Sequence, residues 1–387
     1  MNALYWRPRK LSRPALGGLA LATVAALLCV EMFRQEAPQP WHAEKVAAAE
    51  RAVRAMRALK HERLRRGHPI AIEFDPAETG LVGDLLTPVT SISGHLQSKQ
   101  TSVNPNFAAI VVDLLARAGL ERGDCVAVGY SGSFPAVNVC VCAALEELRL
   151  KPVIVASAAA SQFGANFPDF MWIDMERFLY ERGHISFHAL ACSRGGYEDR
   201  GLGLTDEARR LIDSAIQRNG LPLIDSASFE AAIDERMALY EQHAAGRPIK
   251  AYINVGGGTV SVGRSLGKRM YRPGLNLDAP DGATEIDSVM TRFIKSGTPV
   301  LHLVEITQLA EVYGLPAAPT RMPPVGQSTV YSEQRHNRWL AGGLLVLLLA
   351  VLSVSCRPDV LSRLFRPRRT SPPESTVAAS CRASPVA

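Results

Sequence analysis

The stretch Val126 to Cys142, VAVGYSGSFPAVNVCVC, constrains the fold more than any other part of the chain. Val126, Ala127 and Val128 form a short apolar run suited to a strand buried on both faces. Gly129 and Gly132 then admit backbone angles that a Cβ resists. Ser131 and Ser133 stand in the turn, where either can cap the next helix, and Pro135 suits a first helical turn. Such a turn aims backbone donors and the positive end of a helix dipole at one spot, which suits a carboxylate or a phosphate. A plain serine-capped connection uses the same residues, so the stretch alone leaves both readings open.

Its neighbours repeat the alternation. Asn104 and Pro105 open a segment in which Phe107, Ile110, Val111, Leu114, Leu115 and Ala118 share one helical face, closed by Gly119. The helix starting at Pro135 is predicted to reach Leu148, and Pro152 to Ser157 reads as the next strand. Further strands are predicted at Ile185–Ala191, Pro222–Ile224, Lys250–Val255 and Pro299–Val304. Helices are predicted over Asp169–Arg182, from Thr205 to Arg218, from Ser228 to about His243, and over Ile286–Ser296. The alternation predicts an α/β fold: a doubly wound, mostly parallel sheet with flanking helices. Val260 to Ala283 reads as a long loop. Ala43 to Arg66 reads as a helix lying between membrane and domain or packed on the domain's surface, with a thin stripe of Val46, Ala49, Val53, Met56 and Leu64.

The chain ends differ in kind. Pro14 to Val30 and Trp339 to Ser355 are each uncharged over 17 residues, about 26 Å of helix, at the short end for a bilayer core. The overall charge of +6 is carried outside these stretches. Residues 1–13 bear four cations and 356–387 bear six arginines against two carboxylates, so the remainder stands at −2. A nearly neutral central region excludes nucleic acid as a partner, since a nucleic-acid binder carries its basic excess on the domain. Arginines on the outer flank of both stretches predict a two-pass protein of the cell membrane, termini in the cytoplasm and main domain outside it. The first apolar core is too long for a cleaved signal and lacks a prompt small-x-small site, so it reads as an anchor. The expected organisation is a cytoplasmic basic stub (1–13), a transmembrane helix (14–30), a linker and membrane-proximal helical region (31–97), the α/β domain (98–315), a Pro-rich linker (316–338), a second transmembrane helix (339–355) and a basic, disordered cytoplasmic tail (356–387).

Several groups could carry chemistry. GYSGSF resembles the nucleophile elbow G-x-S-x-G in Gly129 and Ser131, but Ser133 replaces the second glycine. Ser131 is the candidate nucleophile, and no spacing selects its base among Asp169, Asp174, His184, His188 and His302. Three small, polar turns follow predicted strands: Ser131–Ser133 with Gly132, the segment around Gly164 and Asn166, and Gly256, Gly257 and Gly258. All three are expected on one sheet edge, with Ser131, Ser133, Asn166 and Gly257 converging on one anion pocket. Arg194, beside Gly195 and Gly196 in a flexible loop to Gly203, offers a forked donor for a carboxylate. Lys99 precedes a helix start and is a further candidate for the same site. No dinucleotide fingerprint or phosphate-binding Walker motif is met, so no cofactor is expected. His184 and His188 lack a third ligand, and Cys140-x-Cys142 lacks a second pair, so no metal is expected either.

Four blocks in order, KQTSVNPNFAAIVVDLL, GYSGSFPAVNV, FGANFPDFMWIDMERFL and KAYINVGGG, resemble the poly-gamma-glutamate system protein family. The resemblance covers roughly Ser98 to Gly258, and more weakly the remainder to about residue 315. It implies a place in the synthesis or export of that bacterial polymer, with the polymer or the membrane subunits of its machinery as partners. The implied role is a binding or assembly component; a serine-dependent amide hydrolase or transferase acting on the polymer is the alternative.

Overall fold

The computed structural model describes residues 13–356. The basic stub and the basic tail predicted for the two ends lie outside the described residues, Arg13 and Cys356 excepted. The chain divides into two compact units, one spanning Ala37–Glu333 and one made of the terminal segments. The terminal segments hold helices Arg13–Met32 and Arg338–Ser355, of 20 and 18 residues, each long and apolar enough to cross a membrane. Neither has a buried residue.

The Ala37–Glu333 unit is a mixed α/β structure around a seven-stranded sheet. Its strands are β1 (Cys125–Ser131), β2 (Lys151–Ser157), β3 (Ala191–Ser193), β4 (Leu223–Ile224), β5 (Ile249–Val255), β6 (Gly274–Asn276) and β7 (Val300–Leu303). The spatial order is β6-β7-β5-β1-β2-β3-β4, with β6 antiparallel and the rest parallel. From β1 the chain lays down β2, β3 and β4 on one side, then returns with β5 on the other. Strand order therefore reverses between β1 and β5, where Val128 and Gly129 pair with Ile253 and Asn254. Ligands of open α/β sheets sit outside the carboxyl ends at such a reversal.

Both faces of β1 are buried, as its apolar run requires. Its side chains alternate between two cores. Val126, Val128 and Tyr130 join the core shared with helices His42–Arg65, Phe107–Arg117, Pro135–Glu147 and Trp172–Glu181. Cys125 and Ala127 join the core under helices Phe229–Ala244 and Val289–Lys295. Cys140 and Cys142 are free thiols filling the first core. The predicted serine and threonine caps at the later helices form: Thr205 Oγ1 accepts from Ala208 N–H and Ser228 Oγ from Ala231 N–H, each at 3.1 Å.

Four local expectations change. The helix His42–Arg65 is a core element, not a membrane-proximal one. Its buried row is Ala48, Ala49, Ala52, Ala55, Met56 and Leu59, whose alanines let neighbouring helices come close, while Leu64 is exposed. Its buried Lys45 ammonium reaches Asp113 Oδ1 at 2.8 Å and the Val330 carbonyl at 3.0 Å. The Pro-rich linker is also drawn in, because Tyr331 is buried and donates to Asn106 Oδ1 at 2.6 Å. The strand expected at Ile185–Ala191 is confined to β3. The preceding amides are taken by carboxylates instead, Ser186 N–H by Glu146 and Ala189 N–H by Glu176. The expected loop 260–283 contains helices Thr259–Val262 and Arg264–Met270, turned about Gly263, whose φ of +80° favours glycine.

Candidate functional site

A cavity of about 520 Å³ opens at the carboxyl edge of the sheet. Its walls come from the segments after β1 (Ser131, Ser133, Phe134), β2 (Ser157, Ala159, Ser161), β3 (Gly195, Gly196, Asp199), β5 (Gly257, Gly258) and β7 (Val304, Glu305), closed by Lys99 and Lys268. The topology explains the convergence: in a parallel sheet every strand delivers its following turn to the same edge.

The β1 turn is built by hydrogen bonds across the edge. Ser131 Oγ accepts from Ser133 N–H at 3.4 Å, and Ser133 Oγ accepts from Ser161 N–H at 3.1 Å. Neither serine caps the helix at Pro135, whose N-cap is Phe134 without a side-chain bond. That part of the sequence expectation is corrected: both hydroxyls hold the turn itself and its neighbour. The helix still begins at the cavity wall, so its positive end favours anions there.

Among the positions expected to bind ligand, Ser131, Ser133, Gly257 and Gly258 line the cavity. Gly132, Gly256, Asn166 and Arg194 are placed elsewhere. A Cβ at Gly132 would stand 2.9 Å from the Ala158 carbonyl, so this glycine serves backbone-on-backbone packing. Gly256, at φ +90°, packs against the Ser131 side chain. Asn166 is wholly buried and clamps the 84–90 segment, bonding Asp84 N–H, the Asp84 carbonyl and Thr90 Oγ1. Arg194 spends its fork on Asp213, at 2.7 and 3.2 Å, and Asp225, at 2.6 Å.

Lys99, on the short helix Leu96–Ser102, is 3% exposed. Its Nζ donates to the Ser133 carbonyl, lies 2.8 Å from Ser161 Oγ, and sits 3.9 Å above the Phe134 ring centroid. Among the described residues no carboxylate bonds it. Burial, aided by the nearby Lys268 charge, lowers its pKa to about 7. Lys268 itself is exposed, with its stem and ammonium beside Gly257.

Sequence reasoning missed the cluster that stands behind the cavity-lining Ser157 and Asp199. Arg236, 1% exposed, donates through Nε to Asp199 at 2.8 Å and through Nη2 to Ser157 and Ser193 Oγ, both at 2.9 Å. Burial is the largest influence and opposes the Arg236 charge, but the Asp199 carboxylate together with Tyr240 and Tyr252 raises the arginine's pKa. This buried pair anchors the glycine-rich loop expected to be flexible, whose Gly195, Gly196, Glu198, Asp199, Gly201 and Gly203 all have positive φ. The available signal was weak: one arginine on an ordinary amphipathic helix. Ser131 Oγ, by contrast, meets no histidine, lysine or carboxylate in a hydrogen bond among the described residues. Its nucleophile-elbow reading therefore has no base in place.

No family model matches the chain. No curated protein matches it either. Among solved structures, it is similar to an archaeal alanine:glyoxylate aminotransferase at 13% identity and a TM-score of 0.15, over 89% of this chain and 68% of that one. At that score the likeness transfers nothing to this chain. The cavity is therefore read from its own chemistry.

Proposed function

We propose that this chain is a two-pass membrane protein whose α/β domain lies outside the cytoplasm and binds the carboxylates of poly-gamma-glutamate. In this reading it is an accessory component of that polymer's synthesis or export. The anchoring half is supported by the two apolar helices and by the arginines flanking them. The polymer is the ligand that the four sequence blocks imply.

One observation carries the binding half. Lys99 is a buried amine inside the switch-point cavity, and among the described residues no carboxylate is bonded to it. Burying a charge is costly unless an opposite charge arrives, so an incoming carboxylate is stabilised where a second protein charge is absent. Lys268 and the helix starting at Pro135 add positive potential to the same cavity. Gly257 and Gly258 leave bare backbone for a chain to approach.

The test is titration calorimetry of the full chain in detergent with a short gamma-linked glutamate oligomer. Binding is expected, with Lys99→Met weakening it about tenfold or more, the loss of one charge-assisted hydrogen bond. A wild-type protein that ignores the oligomer, or a folded Lys99→Met variant that binds it equally well, overturns the reading.

A further inference from the structure

Ser161 and Lys99 form a pair that neither the turn motif nor the binding role accounts for. Lys99 Nζ lies 2.8 Å from Ser161 Oγ, and both residues line the cavity. Ser161 is fixed on both sides. Its amide donates to Ser133 Oγ at 3.1 Å, and its short strand Ala160–Ser161 pairs with Thr90–Ile92. Lys99 is fixed equally well, by the Ser133 carbonyl and the Phe134 ring. A neutral lysine amine has N–H groups to donate and one lone pair to accept with. With an N–H directed to the Ser133 carbonyl, the lone pair can take the Ser161 hydroxyl proton.

We propose that Ser161 is a nucleophile and Lys99 its general base, acting on an amide bond of a carboxylate-bearing chain held in this cavity. Serine–lysine pairs are a known variant of the activated-serine arrangement. Ser161 Oγ attacks the amide carbonyl carbon, and its proton moves to Lys99 Nζ. The carbon–nitrogen bond then breaks, and that proton passes to the departing amine. Lys99 next takes a proton from water, and the resulting hydroxide attacks the acyl-serine ester. The ester bond to Ser161 breaks, its oxygen recovers the proton from Lys99, and a carboxylic acid leaves. Water is the co-reactant, and no redox change occurs. Lys268 supplies positive charge to the same cavity for the oxyanion that forms at each attack.

Burial already brings Lys99 to about pKa 7, so a large share of the amine is neutral near that pH. The other titratable groups facing the cavity are His95, Tyr197, Asp199, Lys268 and Glu305. Asp199 is held by Arg236. The substrate class rests on the carboxylate-binding reading, but the chemistry can be tested without the polymer.

The full chain in detergent is treated with a biotin-tagged fluorophosphonate, and the adduct is mapped by peptide mass spectrometry. Ser161 Oγ forms the phosphorus–oxygen bond, fluoride leaves, and Lys99 takes the proton. The adduct is expected on Ser161, forming about tenfold faster at about pH 8 than at about pH 6 as the amine loses its proton. Lys99→Arg keeps a positive charge but cannot serve as base. It should lose at least about tenfold in labelling rate. An adduct on Ser131, Ser133 or Ser157 in place of Ser161, or a folded wild type unlabelled at Ser161, overturns the pair. So does a labelling rate flat with pH, which decides the matter even if Lys99→Arg fails to fold. Loss of oligomer binding with Ser161 labelling intact defeats the binding reading alone.

Discussion

Gly256 packs so tightly on Ser131 that a Cβ on the glycine would overlap the serine Oγ. The two residues follow β5 and end β1, the strands between which the sheet order reverses. The contact therefore ties the two halves of the sheet beside the cavity that Ser131 lines. Gly256 also has a φ of +90°. Gly256→Ala is expected to cost about 1–3 kcal/mol of stability through strain and overlap together. Adding Ser131→Ala removes the overlap but not the strain, so the double variant should be more stable than the sum of the singles by about 0.5 kcal/mol or more. Thermal unfolding of the four proteins in a double-mutant cycle measures it; additivity would show that the contact carries no energy.

The Arg236–Asp199 pair predicts a larger effect. Arg236→Met leaves the Asp199 carboxylate buried with, among the described residues, only the Ser157 and Ser193 hydroxyls as side-chain partners. The expected cost is about 3–5 kcal/mol, with partial recovery when Asp199→Asn removes the orphaned charge. Limited proteolysis should cut Arg236→Met within 195–203, where the wild type resists. Equal resistance in both would mean that the loop is held by its glycine turns alone.

Glu176 lies wholly buried beneath the sheet, and burial raises its carboxyl pKa to about 8, against the bond from Ala189 N–H. Its folded pKa exceeds its unfolded one, so the folded state binds the extra proton. This contribution to stability is fully present below the ordinary carboxylate pKa. It falls by up to about 1.4 kcal/mol per pH unit as pH rises towards about 8. Glu176→Gln removes the titration and should flatten that part of the stability profile relative to wild type. Chemical denaturation across that range checks it; parallel profiles for the two proteins would place the charge elsewhere.

The proposed topology has its own test. Reporter fusions after Gln35 and after Thr320 are expected to read as extracytoplasmic, and one after Pro367 as cytoplasmic. A cytoplasmic signal at Thr320 would remove the two-span arrangement and, with it, access to a polymer outside the cytoplasm.

The parts of the site that were legible in the sequence are those made by one short segment. Ser131 and Ser133 were visible as a turn because a strand, two glycines and a proline surround them in order. Gly257 and Gly258 were visible because they follow an apolar strand. Asn166 and Arg194 had the same local character, yet each is consumed by partners far along the chain, Asp84 and Thr90 for one, Asp213 and Asp225 for the other. Nothing local distinguishes a polar side chain that faces a cavity from one that closes a loop.

By itself the sequence determined the alternation of strand and helix, the burial of both faces of β1, the caps at Thr205 and Ser228, and the two apolar terminal helices. These depend on neighbours within about one helical turn or along one strand, where periodicity and cap chemistry act directly. Tertiary structure alone decided that β5 returns beside β1, that an alanine row draws His42–Arg65 into the core, and that Lys99 comes within 2.8 Å of Ser161. It also decided that Arg236 meets Asp199, 37 positions earlier. The physical reason is that the protonation of a buried lysine and the worth of a buried ion pair depend on which groups surround it and how much water is excluded. Both are properties of packing between distant segments.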